Sequence, residues 1–210
     1  MTPFRRSSKP SIVYWHGDTL YLNITNRCSN RCYFCFRNFT DGVWGFNLKL
    51  TREPSPNELI KDLETYINRR FWREVVFCGF GEPTARLDCL LEVAEWIDRN
   101  HMKSIRVDTN GHGYLLNEGR DVVKELKDAG VRKVSVSLNA GDAETYDRVC
   151  KPVFRNAFNA VLEFIERAKR ELEVEATAVS IPEVDLEKVK ALTEKLGVKL
   201  RIRNYELPFM

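Results

Sequence analysis

At 210 residues the chain suits one domain, or at most two small ones. Its 43% hydrophobic and 30% charged content supports a packed core and argues against disorder, while a net charge of +3 is too near neutral to point to nucleic acid or a membrane surface. No apolar run approaches the roughly 20 residues of a membrane helix, and the first residues carry charge with no apolar stretch behind them, so no export leader is expected and the location is read as cytoplasmic.

Residues 1–18, approximately, read as a short extension, after which residues 21–25 form the first strand. Ser55-Pro-Asn-Glu58 marks a helix start, with a Ser cap, Pro at the first helical position and Glu at the third. Leu59, Leu63, Tyr66 and Ile67 follow at helical spacing. Residues 74–78 are a strand, and Leu87, Leu90, Leu91, Ala94 and Ile97 mark a second helix face. Residues 105–108 are a strand, followed by a helix through Val122, Val123, Leu126 and Ala129 that Gly130 ends. Residues 131–138 are a strand, and Phe158, Val161, Leu162 and Ile165 form the next helix face. Residues 172–179 are a strand, Asp185 caps a helix through Leu196, and residues 198–203 are the last strand.

This β-then-α alternation predicts an α/β fold with a parallel sheet: one domain over residues 1–210, either doubly wound or an incomplete barrel. The strands alternate. Ser135, Ser137 and Asn139 fall on one face and Val134, Val136 and Leu138 on the other. Arg106 and Asp108 oppose Ile105 and Val107, and Arg201 and Arg203 oppose Leu200 and Ile202. Strands covered by helices on both faces would be apolar throughout. A curled sheet enclosing a polar ligand fits better, and a sheet with one solvated face is the alternative.

Three of the six cysteines crowd into Cys28-Ser-Asn-Arg-Cys32-Tyr-Phe-Cys35, just past the first strand, where α/β sheets bind ligands. A structural zinc ion wants four protein ligands, and an electron-transfer cluster wants four cysteines. Three thiols favour an iron–sulfur cluster with one open position over zinc or a chance grouping. Cys89 and Cys150 read as small core residues, and Cys78 lies beside the motif described next.

With Cys-x3-Cys-x2-Cys at Cys28, Cys32 and Cys35, the chain resembles the radical S-adenosylmethionine (SAM) superfamily. Phe34 matches the aromatic residue before that family's last cysteine, which lies near the SAM adenine. Gly79-Phe80-Gly81-Glu82-Pro83 resembles the family's Gly-Gly-Glu-Pro stretch, with Phe80 in place of its first Gly. Ser137 and Asn139 match the place of its ribose contacts, and Thr177-Ala-Val-Ser-Ile-Pro-Glu183 stands where it has a Gly-rich stretch. The resemblance implies a partial (β/α)6 TIM-type barrel. It also implies a [4Fe-4S] cluster on the three cysteines and SAM held by Phe34, Gly81, Glu82, Pro83, Ser137 and Asn139.

The reaction implied is reductive cleavage of SAM to a 5′-deoxyadenosyl radical that abstracts hydrogen from a substrate, a small molecule or a protein. An electron donor of flavodoxin or ferredoxin type is implied as partner. The stretch from Asn38 to Ser55 is similar to that of the small TatD-family-associated radical SAM proteins, which implies a functional link to a TatD-type hydrolase. Alternative readings are a glycyl-radical-enzyme activase, a 7-carboxy-7-deazaguanine-synthase-like enzyme, or a non-catalytic Fe–S or zinc protein.

Asp108, His112 and Arg203 are the candidate catalytic residues, lying with Arg37 and Asn110 at or beyond the C-terminal ends of strands. His112 is either a proton shuttle or an exposed turn residue, and Arg201 is expected to brace the barrel on Asp108 or Glu82. Residues 36–54, with Trp44 and Phe46, are read as a lid or as aromatic packing on the barrel.

Overall fold

The computed structural model describes residues 9–205. Within the expected extension, β1 (Val13–His16) turns at Gly17, with φ of 57°, and pairs antiparallel with β2 (Thr19–Leu22). Next come a two-residue ribbon, β3 (Gly42–Val43) and β4 (Phe46–Asn47), and then β5 (Glu74–Phe77), β6 (Ser104–Thr109), β7 (Lys133–Ser137), β8 (Glu173–Ser180) and β9 (Lys199–Asn204). The main sheet has seven strands in the order β1-β2-β5-β6-β7-β8-β9, and every pair from β2 onward is parallel. β1 and β9 do not pair, so the barrel stays open along one side.

The first parallel strand is shifted against the expectation. It ends at Leu22, and Asn23 and Thr25 already lie in the following loop. There the Asn23 amide donates to the carbonyls of Ser11 at 3.1 Å and Leu48 at 2.7 Å.

The helices are α1 (Pro56–Ile67), α2 (Leu87–His101), α3 (Gly113–Leu116), α4 (Val122–Asp128), α5 (Ala143–Cys150), α6 (Ala157–Ala168) and α7 (Leu186–Leu196). Helix α1 opens on a capping box between Ser55 and Glu58 and buries Leu59, Leu63 and Ile67. Asp121, Asp142 and Asp185 cap α4, α5 and α7 through their carboxylates. The helices cover one face of the sheet: Phe77, Val107, Val134, Val136 and Ala178 share a core with Leu63, Leu90, Ile97, Val161, Phe164 and Val189. Each fully buried Val, Leu, Ile or Phe side chain among them contributes roughly 1.5–3 kcal/mol. One face of the sheet is thus spent on stability, and the other is free to carry polar groups into the lumen.

Candidate active site

The cysteine loop leaves the C-terminal end of β2 and is fastened to the end of α5. Arg31 N–H donates to the Cys150 carbonyl at 2.9 Å, and Val153 N–H donates to the Ser29 carbonyl at 2.9 Å. A buried side-chain relay adds to this. Asn110 Nδ2 donates to Ser29 Oγ at 2.8 Å, Ser29 shares a hydrogen bond with His112 Nδ1 at 2.9 Å, His112 Nε2 meets Tyr146 Oη at 3.0 Å, and Asn30 Nδ2 donates to Tyr146 Oη at 3.0 Å. His112 is fully buried, and burial lowers its pKa to about 4, so it stays neutral. With both ring nitrogens engaged it anchors the loop, and the expected solvent exposure does not hold. The preceding Gly111, at φ of +82°, lies so close to Val161 and Val136 that a Cβ there would crowd both.

Residues 79–83 lie directly beneath this loop. A Cβ at Gly81 would stand 2.4 Å from the Arg27 carbonyl oxygen and 2.6 Å from that of Thr25, so the two backbones touch only because no side chain intervenes. Glu82 is buried, and burial raises its pKa despite its bonds. Its Oε1 accepts from Thr84 Oγ1 at 2.7 Å and Thr109 Oγ1 at 2.7 Å, and its Oε2 from Asn110 N–H at 2.6 Å. The Glu82 side chain is therefore a structural hub, and backbone groups are what this stretch offers a ligand. Pro83 opens the short 3-10 helix that follows. Phe80 is buried, its ring edge-on to Phe36 and beneath the Arg37 guanidinium at 4.9 Å, which gives the Phe for Gly replacement a packing role.

The three thiols are neighbours without converging on a point. Cys28 and Cys35 each sense Cys32 electrostatically, yet among the described residues no group of three or more His, Cys, Asp or Glu side chains gathers tightly enough for a single metal ion. Cysteines that each bind a different iron of a cluster need such a spread. Burial, then Glu82, pushes the Cys28 thiol up to about 12, so binding iron must displace its proton. Donors already point at the sulfur: Asn30 N–H lies 3.5 Å from Cys28 Sγ and Asn110 Nδ2 3.9 Å. A thiolate bound to a cluster keeps lone pairs for such donors, so the residues present fit a [4Fe-4S] cluster.

Cys150 is not the remote core residue its sequence position suggests, for its thiol lies close enough to that of Cys32 to raise its pKa. Asn139 Nδ2 lies 3.8 Å from Cys150 Sγ on the other side. Asn139 is buried just past the end of β7 with a φ of 56°, and its Oδ1 has no hydrogen-bond partner among the described residues. That orphaned acceptor suits a ligand hydroxyl. Ser137 ends β7 half-buried, and Phe34 stands edge-on to Tyr33.

Charged side chains lace the lumen face. Arg106 bridges Glu74 at 3.2 Å and Asp108 at 2.9 Å. Arg201 pairs with Glu175 at 2.7 Å and donates to Ser135 Oγ at 3.2 Å, so it braces the barrel through β8 and β7, and not through Asp108 or Glu82 as expected. Burial raises the pKa of Asp108, opposed by Arg106, Arg201 and Arg203, and its carboxylate meets the Cys78 thiol. Arg203 has no ion pair among the described residues, although it lies close enough to Asp108, Cys78 and Cys32 to interact with them. Arg203 thus makes no salt bridge among the described residues, and Asp108 is partly committed to Arg106.

Residues 36–54 are fastened down. Trp44 stacks on His16 at 4.2 Å, Phe46 stands edge-on to Trp15 at 4.8 Å, and Asn26 Nδ2 donates to the Leu50 carbonyl at 2.6 Å. Tyr14, Leu48 and Phe80 form a separate small core with Phe36, Val43 and Phe46. Of the two readings of this segment, packing on the barrel describes the contacts.

The family model described as "Radical SAM superfamily" matches residues 22–196. Among curated proteins, a probable GTP 3′,8-cyclase of Methanocaldococcus jannaschii is 29% identical over 188 residues, 89% of this chain and 58% of the relative. An Fe-coproporphyrin III synthase of Methanosarcina barkeri is 30% identical over 171 residues, 80% of this chain and 36% of the relative. The chain thus spans about half the length, or less, of these relatives. Among solved structures, Streptococcus suis SuiB bound to S-adenosylmethionine superposes with a TM-score of 0.67 at 16% identity, over 90% of this chain and 40% of that one, a likeness of fold.

Proposed function

The chain belongs to the radical SAM superfamily, and from that premise we propose that it binds a [4Fe-4S] cluster on Cys28, Cys32 and Cys35 and cleaves SAM reductively to act on a substrate in the lumen. The observation that carries this reading is the cysteine loop itself: three thiols at the C-terminal end of β2, pinned from behind by the Ser29–His112–Tyr146–Asn30 relay and facing a polar interior. When bound, the cluster supplies one electron to the SAM sulfonium, and the resulting 5′-deoxyadenosyl radical takes hydrogen from the substrate.

The chain's own residues bind and orient. Gly81 lets the backbone of residues 79–83 approach the loop, where its polar groups serve the methionine end of SAM. Asn139 offers its unpaired Oδ1, with Ser137 beside it on the strand, to the ribose. Arg203, which makes no salt bridge among the described residues, offers its guanidinium to an anionic group of the substrate, with the Asp108 carboxylate within electrostatic range. His112 holds the loop and moves no proton to substrate.

The finer parts of this reading are proposals of the same kind. The single core domain, the cytoplasmic location, the flavodoxin or ferredoxin donor and the TatD link belong together. Six free thiols suit a reducing compartment, and the stretch from Asn38 to Ser55 carries the likeness to the TatD-associated subgroup. The test is anaerobic reconstitution, one-electron reduction with SAM present, and chromatography for 5′-deoxyadenosine. An intact cluster with no SAM binding would refute the enzyme reading.

A further inference from the structure

A second concavity lies on the other side of the cysteine loop. It has a volume of about 680 Å³ and is lined by Arg31, Asp147, Lys151, Val153, Phe154 and Arg155, with Pro152 between. Its walls are the cysteine loop and the segment to which that loop is fastened: Arg31 stands between Cys28 and Cys32, and Lys151 to Arg155 follow directly on Cys150. The Arg31–Cys150 and Ser29–Val153 backbone hydrogen bonds join those walls. One layer of chain therefore separates this surface from the thiols.

Its chemistry differs from that of the lumen. Arg31, Lys151 and Arg155 are exposed, and none has an ion pair among the described residues. Asp147 is the one acidic side chain in the lining. The contrast with the helical surfaces is direct. There Arg99 pairs with Glu95, Lys124 with Asp128, and Arg167 with Glu163. Lys151 caps α5 in the left-handed region, at φ of 46°, which fixes where its side chain leaves the surface. Val153 stands 55% exposed among the cations. Cations around a small apolar spot suit a brief protein–protein encounter, in which opposite charge raises the association rate and a small apolar contact limits residence.

We propose that this basic concavity is the docking surface for an acidic one-electron carrier protein, and that electrons enter the cluster through the backbone of residues 29–32. The proposal rests on the reading of Cys28, Cys32 and Cys35 as a cluster site. The step is a one-electron transfer: the carrier is oxidised by one electron and the cluster is reduced by one. A partner here leaves the lumen free for SAM and substrate, so donor and substrate need not compete.

The test follows reduction of the reconstituted cluster by stopped-flow absorbance, without SAM, using two reductants. One is a flavodoxin in its hydroquinone form; the other is photoreduced deazariboflavin, which is small and uncharged. The wild-type flavodoxin rate should fall steeply between roughly 0.01 and 0.15 M salt, as screening shortens the range of attraction. Lys151→Glu with Arg155→Glu should slow reduction by flavodoxin roughly tenfold at low salt and flatten that dependence, leaving the deazariboflavin rate unchanged. An unchanged flavodoxin rate, or equal slowing with both reductants, would overturn the docking surface and leave the proposed function standing. If the double variant takes up no cluster, the wild-type salt dependence decides alone: a flat response overturns the proposal. A wild type that takes up no cluster refutes the proposed function and the docking surface together.

Discussion

The thiol of Cys150, at the end of α5, lies close to the thiol of Cys32 in the cysteine loop, and the interaction between them, ahead of burial, raises the pKa of Cys32. Once Cys32 is a metal-bound thiolate, the Cys150 S–H becomes a donor to a cluster ligand. Donors to cluster sulfurs stabilise the additional negative charge of the reduced state. Cys150→Ala should therefore keep its cluster and shift the midpoint potential to a more negative value, while Cys150→Ser, which retains a donor, should lie nearer the wild type. A redox titration followed by electron paramagnetic resonance reads both.

The cluster assignment itself predicts about four irons and four sulfides per chain after anaerobic reconstitution. Replacing Cys28, Cys32 or Cys35 by Ala should abolish the broad visible absorption. Replacing Cys89, which packs in the core at the start of α2, should not. A triple Ala variant with full iron content would remove the assignment.

His112 predicts a particular acid sensitivity. An ordinary imidazole titrates near 6.5, and burial lowers His112 to about 4. The folded chain therefore binds fewer protons than the unfolded one across that interval, and the stability present above pH 6.5 declines as pH falls toward 4. A shift of that size corresponds to about 3 kcal/mol when fully expressed. Denaturant melts of the apoprotein from pH 7 to 4 should show this loss. His112→Gln should be less stable at pH 7 and show a shallower decline. Parallel curves for the two proteins would mean that His112 is not the titrating group.

What the sequence disclosed and what it hid divide along one line, local against tertiary. The capping box at Ser55 and Glu58 and the alternation of Val134, Ser135 and Val136 are written in neighbouring residues, and the structure carries both. The three-cysteine spacing is local in the same way. Strand β1 reads as part of an extension because four residues give little periodicity; Gly17-Asp18 between two alternating runs is the one local hairpin signal there. Helix α5 is too short to show a clear apolar face although Asp142 caps it, and it carries Tyr146 and Cys150, the residues that meet the cysteine loop. His112 reads as a surface turn residue because Asn-Gly-His-Gly is turn chemistry. Its burial depends on Ser29 and Tyr146, which no local pattern joins to it.

Gly81 tests how closely residues 79–83 must approach the cysteine loop. A methyl group there would meet backbone atoms on three sides: the Arg27 and Thr25 carbonyl oxygens and the Asn26 carbonyl carbon. None can rotate away. Gly81→Ala should therefore destabilise the fold by about 1–3 kcal/mol, the usual cost of overpacking, and impair cluster uptake together with stability. Chemical denaturation and iron content should move together. A stable variant with normal iron would show that the loop can withdraw.

Asn139 gives the most direct test of where SAM lies. Its Nδ2 is near Cys150, its Oδ1 has no partner among the described residues, and its backbone φ of 56° is one that glycine adopts without strain. Asn139→Gly therefore removes the side chain without penalising the turn, which Asn139→Ala would not. A lost hydrogen bond to a neutral group is worth on the order of 1 kcal/mol, so SAM should bind about fivefold more weakly. Adding Ser137→Ala should bring the loss to roughly ten- to thirtyfold if both groups hold the ribose. Iron content should stay at the wild-type level in each variant, because neither residue is a ligand. Equilibrium binding of SAM to the reconstituted, oxidised protein measures this without requiring turnover. If the double variant binds SAM as tightly as the wild type, Ser137 and Asn139 do not hold the ribose, and the free Oδ1 of Asn139 must be assigned another ligand.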